Sequence, residues 1–117
     1  MNIILVGHLA FMAVSLGVAI FMRFLKADKI NPLVGYRTAL SVKNEGTWAE
    51  ANRQSAGIQL WMAIAFCVLS AGSYIFIGGL TSFYLCSFLL ALTSILVIPI
   101  TEYNLKRKFD SNGNRRD

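Results

Sequence analysis

Charged residues are absent from two long apolar stretches of the sequence, and this pattern predicts the architecture. No Lys, Arg, Asp or Glu occurs from Met1 to Met22 or from Gln54 to Thr101. One helical crossing of the hydrocarbon core of a membrane requires about 20 apolar residues. The first stretch therefore accommodates one membrane-spanning helix, and the longer second stretch accommodates two.

The predicted fold class is an all-α membrane protein, with three transmembrane helices in a single domain, residues 1–117. The spans are placed at residues 3–22, 57–77 and 81–100, which leaves a structured loop at 23–56 and a tail at 101–117. Gly78 and Gly79 predict a tight hairpin between the second and third spans, because glycine adopts backbone angles denied to other residues.

The basic residues predict the orientation of the chain. All eleven lie in the loop or the tail, and none lies at the N-terminus or in the Gly78-Gly79 turn. Three spans place the loop and the tail on one side, which the positive-inside rule makes cytoplasmic. The N-terminus and the hairpin are therefore expected outside. The first span has no Ala-x-Ala cleavage pattern, so it is predicted to be a retained helix.

The overall charge fits this arrangement. The chain is 56% hydrophobic, with a net charge of +5 and a mean hydropathy of +0.56. Basic residues that flank membrane segments set topology and contact anionic lipid headgroups. We therefore expect the protein to lie in the lipid bilayer and to contact anionic lipid. We do not expect it to bind nucleic acid.

Small residues recur at four-residue spacing in each span and predict close helix packing. These rows are Ala13 and Gly17; Ala63, Cys67 and Ala71; and Ser87 and Ala91. No disulfide is expected between Cys67 and Cys86, because the two lie at different distances from the connecting turn.

The loop contains a predicted helix start. Asn44-Glu45-Gly46 is expected to interrupt a short helical segment, and Thr47 with Glu50 matches a capping box. A helix that begins at Thr47 would continue into the second span for about 30 residues.

The loop also resembles the signature of the SdpI family of small bacterial membrane proteins. That signature has an Asn shortly before Gly-Tyr-Arg-Thr, then a Trp, then an Asn followed by a basic residue. The matching residues here are Asn31, Gly35, Tyr36, Arg37, Thr38, Trp48, Asn52 and Arg53. The tail segment 102–110 is similar to the ending of the family.

The resemblance implies a location in the bacterial inner membrane and a role as an immunity or signalling factor. Its partner would be a secreted toxin or a membrane-held regulator. The alternative is a structural or accessory subunit of a larger membrane complex, which would pack through its small-residue faces. The genes beside this one would discriminate between the two.

The eight motif residues are the candidate binding site, and two interpretations of them remain open. In the binding interpretation, Arg37, Thr38, Asn52 and Arg53 converge on a lipid phosphate or a partner's carboxylate, since the arginine fork donates two parallel hydrogen bonds. In the structural interpretation, Tyr36 and Trp48 are interfacial anchors, Gly35 forms a turn and Arg37 snorkels towards water.

No catalytic residue, metal ligand or cofactor is predicted, and the chain is expected not to be an enzyme. The single histidine, His8, lies within the first span, far from the polar loop. We predict that it donates a hydrogen bond between helices or contacts a headgroup. The spans contain no Asp, Glu, Lys or Arg, whereas coupled transporters keep ionisable groups there.

Overall fold

The computed structural model describes residues 2–24, 30 and 35–116, and three helices account for most of these. They are α1 (Ile3–Phe24), α2 (Glu45–Phe76) and α3 (Gly79–Lys108). Each is long and apolar enough to cross a membrane. This confirms the all-helical, three-span prediction, whereas the side on which each end lies stays a prediction.

Helices α2 and α3 are longer than one membrane crossing requires. They contain 32 and 30 residues, so each is about 45 Å long or more, against roughly 30 Å of hydrocarbon. The surplus of both helices lies at the charged end of the bundle. We call this the polar end: the loop 35–44, the first turns of α2 (45–55), and the end of α3 with the tail (101–116).

The start of α2 differs from the sequence-based prediction. Asn44 is the N-cap, its side chain accepts from the backbone of Thr47, and the Thr47 hydroxyl in turn accepts from the backbone N–H of Asn44. The predicted Thr47–Glu50 capping box was therefore wrong, as was the predicted break at 44–46. Glu45 and Gly46 lie inside the helix, because Asn44 offers a better-placed side-chain acceptor at the preceding turn.

The connection between α2 and α3 confirms the predicted tight hairpin. The backbone N–H groups of Ile77 and Gly78 both donate to Ser73 O, at 2.9 and 3.0 Å, and close α2. Gly78 and Gly79 have φ values of +73° and +66°. Glycine is favoured at both positions because these angles lie in the left-handed region.

Helix α3 includes Pro99 and continues to Lys108, beyond the predicted end of the third span at residue 100. The remaining tail turns back on the helix: Phe109 pairs with Arg115 in an isolated β-bridge, and Arg116 N donates to Lys108 O at 2.7 Å. Asn44 Nδ2 donates to Gly113 O at 2.8 Å. The tail is thereby attached to the cap of α2.

The helix interfaces use polar and small side chains, but not the rows that the sequence suggested. Of the predicted rows only Ala63 is buried, whereas Ala13, Gly17, Ala71 and Ala91 are exposed. The buried positions are instead His8, Ser15 and Ala19 in α1; Ala63, Phe66, Ser70 and Ser73 in α2; and Ser82, Cys86, Thr93 and Val97 in α3. Ser70 Oγ lies 3.1 Å from Cys86 Sγ and joins α2 to α3.

Candidate functional site

Gly35 brings the loop motif close to α2. Its φ is +110°, which L-residues with a side chain rarely adopt. A Cβ at this position would lie 2.8 Å from Asn52 Oδ1 and 3.0 Å from the Trp48 ring. The close approach of the loop backbone to α2 therefore requires glycine.

Asn52 holds the loop in place. Its side chain is buried, and Oδ1 accepts from the backbone N–H of Tyr36 at 2.7 Å. Nδ2 donates to Trp48 O at 2.9 Å and to Tyr36 O at 3.4 Å. One amide thus bonds to both sides of the Tyr36 peptide and to its own helix, which accounts for an Asn at this position.

Glu102 of α3 holds the same loop from the other side. Its Oε1 accepts from the Tyr36 hydroxyl at 2.8 Å and also from the Thr38 hydroxyl. Burial raises the pKa of the Tyr36 phenol well above its usual range, and the hydrogen bond and negative charge of Glu102 raise it further. Tyr36 therefore stays protonated and remains a donor to Glu102.

A short polar turn completes the loop. Thr38 N donates to Ser41 Oγ at 2.7 Å, and Ser41 N donates to Thr38 Oγ1 at 3.2 Å. Beneath this turn lies a small apolar cluster that joins the loop, α2, α3 and the tail. Its members are Tyr36, Leu40, Ala51, Leu105 and Phe109.

Arg37 lies at the surface, between residues that face inward. Its guanidinium carbon is 5.8 Å from the centroid of the Trp48 ring, within the range of a cation–π contact. Arg37 also lines a pocket of about 310 Å³. The same pocket has a mixed lining. Its polar groups come from Thr38, Ser55, Gln59 and Ser94, and its apolar surface comes from Val18, Met22, Val97 and Ile98.

Trp48 and Tyr36 belong to the folded interior. Trp48 is 1% exposed and Tyr36 is 8% exposed, so neither is the interfacial anchor that the structural interpretation described. The indole Nε1 of Trp48 has no hydrogen-bond partner among the described residues. The Trp48 ring instead supports Gly35 and Arg37 by contact.

Arg53 does not join the other motif residues. It forms an ion pair with Glu50, with Nη2 to Oε2 at 2.9 Å, and Lys108 Nζ donates to Glu50 Oε1 at 2.8 Å. Burial alone would raise the pKa of Glu50, but the hydrogen bonds from Lys108, Arg53 and Gln54 outweigh it and lower that pKa to about 2. Glu50 therefore joins the start of α2 to the end of α3 as a carboxylate.

The structure thus brings six of the eight predicted residues together: Gly35, Tyr36, Arg37, Thr38, Trp48 and Asn52. Arg53 lies with Glu50 instead, and Asn31 lies outside the described residues. The side chains of Asn52 and Thr38 form hydrogen bonds within the protein. Of the four side chains predicted to converge on one anion, Arg37 is the charged one that lines the pocket.

Sequence reasoning missed Glu102, the carboxylate on which the loop depends. One signal was available, since Glu102 is the first charged residue after the charge-free stretch 54–101. An acid at that position departs from the basic residues that otherwise follow a cytoplasmic span end.

His8 lies at the other end of the bundle and forms a hydrogen bond with α3, while the predicted donation by His8 stays a prediction. Nε2 lies 3.3 Å from Ser82 Oγ of α3, and Nδ1 lies 2.8 Å from Ile4 O. Since only a ring N–H can bond to that carbonyl, Nδ1 is the donor there. Within the described ranges, no group of three or more His, Cys, Asp or Glu residues could hold a metal ion.

Comparison with known proteins gives a family match whose range includes the motif residues. The sequence model of the SdpI/YfhL protein family matches residues 28–101. The chain is 32% identical over 99 residues to a protein of Bacillus subtilis (strain 168) described as uncharacterized protein YfhL, and the alignment covers 83% of this chain and 84% of that relative. No solved structure is significantly similar to the chain. The family match covers the loop, α2 and most of α3, and the chain therefore belongs to the SdpI/YfhL family.

Proposed function

We propose that this protein is a non-enzymatic immunity or signalling factor of the bacterial inner membrane, which binds a toxin, a regulator or a lipid through its loop motif. In this proposal the N-terminus and the Gly78-Gly79 hairpin lie outside, and the polar end lies in the cytoplasm. All eleven basic residues lie in the loop or the tail, which supports that orientation.

One observation carries the proposal. The backbone of the motif is held on one side by Asn52 and on the other by Glu102, while the exposed Arg37 rests on Trp48 at the edge of a pocket. A side chain that only set topology would not need so many buried bonds around it. Fixing the surrounding loop reduces the entropy lost when a ligand binds, which favours recognition.

The pocket beside Arg37 supports a ligand with both polar and apolar parts. Ser55, Gln59 and Ser94 offer hydrogen-bonding groups, and Val18 and Ile98 offer apolar contact. A segment of a membrane-active peptide toxin or a membrane-held regulator has this mixed character, as does an anionic lipid.

The test is substitution of Arg37 in a strain whose survival of the toxin depends on this protein. Arg37→Lys keeps the charge but loses the planar fork, so we expect it to impair protection nearly as much as Arg37→Ala. Arg23 is the matched control, because it is also an exposed basic residue beside a span but lies outside the pocket.

Arg23→Lys should leave protection unchanged. Full protection by Arg37→Lys, with a normal protein level in the membrane, would contradict the binding role and assign Arg37 to topology.

The accessory-subunit alternative has support from one observation. Ala13 and Gly17 of α1 are exposed, and a Cβ at Gly17 would meet nothing within 4 Å. A second helix could therefore approach this face closely. Under this alternative, Gly17→Leu should abolish co-purification of a membrane complex while Arg37→Lys leaves it intact.

A further inference from the structure

A second pocket at the polar end has unused charges of both signs. It measures about 500 Å³ and lies between the turn at 39–43, the end of α3 and the tail. Lys43, Lys106 and Arg116 line it together with Glu102 and Asp110, and Leu40 and Phe109 contribute apolar surface. It shares no lining residue with the pocket beside Arg37.

The cations of this pocket form no ion pair among the described residues. Neither Lys43 nor Lys106 has an ammonium partner among the described residues. Arg116 is fixed by its Nε, which donates to Lys106 O at 3.0 Å and to Phe109 O at 3.1 Å. Those bonds use carbonyl oxygens, and within residues 2–24, 30 and 35–116 the guanidinium forms no ion pair.

The two acids are fixed in the same manner. Glu102 accepts both loop hydroxyls through Oε1. Asp110 accepts the backbone N–H groups of Asn112 and Asn114 through Oδ1, each at 2.9 Å. In each carboxylate the second oxygen has no hydrogen-bond partner in the described part of the chain, and neither acid forms an ion pair there with the pocket cations.

Fixed charges of both signs favour a ligand that also has both. A simple anion would be attracted by the three cations but repelled by two carboxylates, and a simple cation would meet the reverse. In a zwitterion, the negative group can contact the three cations while the positive group contacts the two carboxylates. Glu102 is also the first residue after the charge-free segment, which places the pocket at the depth of lipid headgroups.

We propose that this pocket binds the headgroup of a zwitterionic aminophospholipid, with the phosphate at Lys43, Lys106 and Arg116 and the primary ammonium at Glu102 and Asp110. The phosphate gains charge-assisted hydrogen bonds, and the ammonium donates to the unused carboxylate oxygens. The lining residues of this site differ from those of the toxin or regulator site. Lys43 and Lys106 therefore test it separately, whereas Glu102 also holds the loop motif.

The experiment measures lipid retention by the purified full chain with native mass spectrometry. The protein is titrated in detergent with phosphatidylethanolamine, phosphatidylcholine or phosphatidylglycerol that have the same acyl chains. We expect phosphatidylethanolamine to be retained about two- to fivefold better than the other two, the difference expected from one partly exposed charge pair. Phosphatidylcholine has no ammonium N–H, and phosphatidylglycerol has no cation.

Substitutions then locate the site. Lys43→Gln with Lys106→Gln should reduce retention of phosphatidylethanolamine about two- to fivefold. Arg107→Gln is the matched control: it removes one charge at the next position, but Arg107 stacks on Tyr103 and does not line this pocket. Glu102→Gln should abolish the preference for phosphatidylethanolamine over phosphatidylcholine.

Three outcomes would overturn the proposal. The first is equal retention of phosphatidylethanolamine and phosphatidylcholine by the unmodified protein. The second is an equal loss of lipid retention in the Lys43/Lys106 variant and in the Arg107 variant. These three side chains are exposed, so we expect both variants to fold even if Glu102→Gln does not. The third is displacement of the lipid by free phosphoethanolamine at equal concentration, which would assign the pocket to a soluble zwitterion.

Discussion

Individual side chains at the polar end divide into two groups, those that fix the loop and those that lie at the surface. Asn52 and Glu102 belong to the first group, since each bonds to the Tyr36 residue from a different helix. Arg37 and Lys106 belong to the second, since both are exposed. Buried polar groups need partners, and in this protein the loop supplies them.

Gly35 provides the sharpest test at this scale. Gly35→Ala introduces a Cβ at a φ of +110° and 2.8 Å from Asn52 Oδ1, so we expect the docked loop to lose about 1–3 kcal/mol. Backbone hydrogen exchange at Tyr36 should quicken. Gly57→Ala is the control, because a Cβ there meets nothing within 4 Å. Equal exchange in both variants would show that the loop is not held as described.

At the scale of the helices, the start of α2 and the end of α3 are stabilised by capping and ion pairing. Asn44 begins α2 and also donates to Gly113 of the tail. Glu50, further along the same helix, pairs with Lys108 at the end of α3. The two helices are therefore joined outside their apolar segments as well as within them.

The cap can be separated from the tail contact by two substitutions. Asn44→Ala removes both and should destabilise the start of α2 by about 0.5–2 kcal/mol, which hydrogen exchange at Thr47 and Trp48 would report. Asn44→Asp keeps the capping acceptor but removes the donor to Gly113. It should leave Thr47 protected while Gly113 and its neighbours exchange faster. Faster exchange of Thr47 in both variants would contradict this division.

The Glu50 contact should depend on pH in an acidic window. Glu50 lies in the charged first turns of α2, and its pKa is lowered from 4.5 to about 2. A lowered pKa in the folded state means that the contact contributes fully above pH 4.5 and is lost as the pH falls towards 2. Exchange at the end of α3 should therefore quicken across this window.

Glu50→Gln should remove that pH dependence. Glu45→Gln, on the same helix, should retain it, since Glu45 is exposed and forms no ion pair among the described residues. An unchanged transition in Glu50→Gln would assign the effect to another group.

The whole molecule is a bundle, and every basic residue that the structure describes lies at one end. All three helices have large apolar side chains that face outward, whereas Ser70, Ser82 and His8 lie inside. This inversion of the soluble pattern suits a lipid environment, because lipid tails satisfy exposed apolar surface and polar groups bond across helices.

The predicted orientation is tested by labelling single cysteines in a chain that lacks Cys67 and Cys86. Thr81 lies beside the hairpin and Asn114 lies in the tail, and both are exposed. An impermeant reagent should label a cysteine at Thr81 on intact cells, and a cysteine at Asn114 only after permeabilisation. Labelling of both positions on intact cells would contradict the topology.

The sequence by itself determined the number of helices, their apolar segments and the hairpin. The charge-free stretches locate the spans, because a charged side chain in hydrocarbon is costly and therefore rare there. Gly78-Gly79 locates the turn. The resemblance in the loop also identified Gly35, Tyr36 and Asn52 before their contacts were known.

The tertiary structure decided what those residues do. Asn44 rather than Thr47 caps α2, Arg53 pairs with Glu50, and Glu102 reaches Tyr36 from a position 66 residues later in the chain. The Asn44 cap and the Arg53–Glu50 pair each join residues three positions apart. The Glu102 contact depends on which groups meet when the helices pack, and local spacing contains no information about a partner so distant in sequence. The buried small-residue rows follow the same rule, since every span offers several rows and only packing selects one.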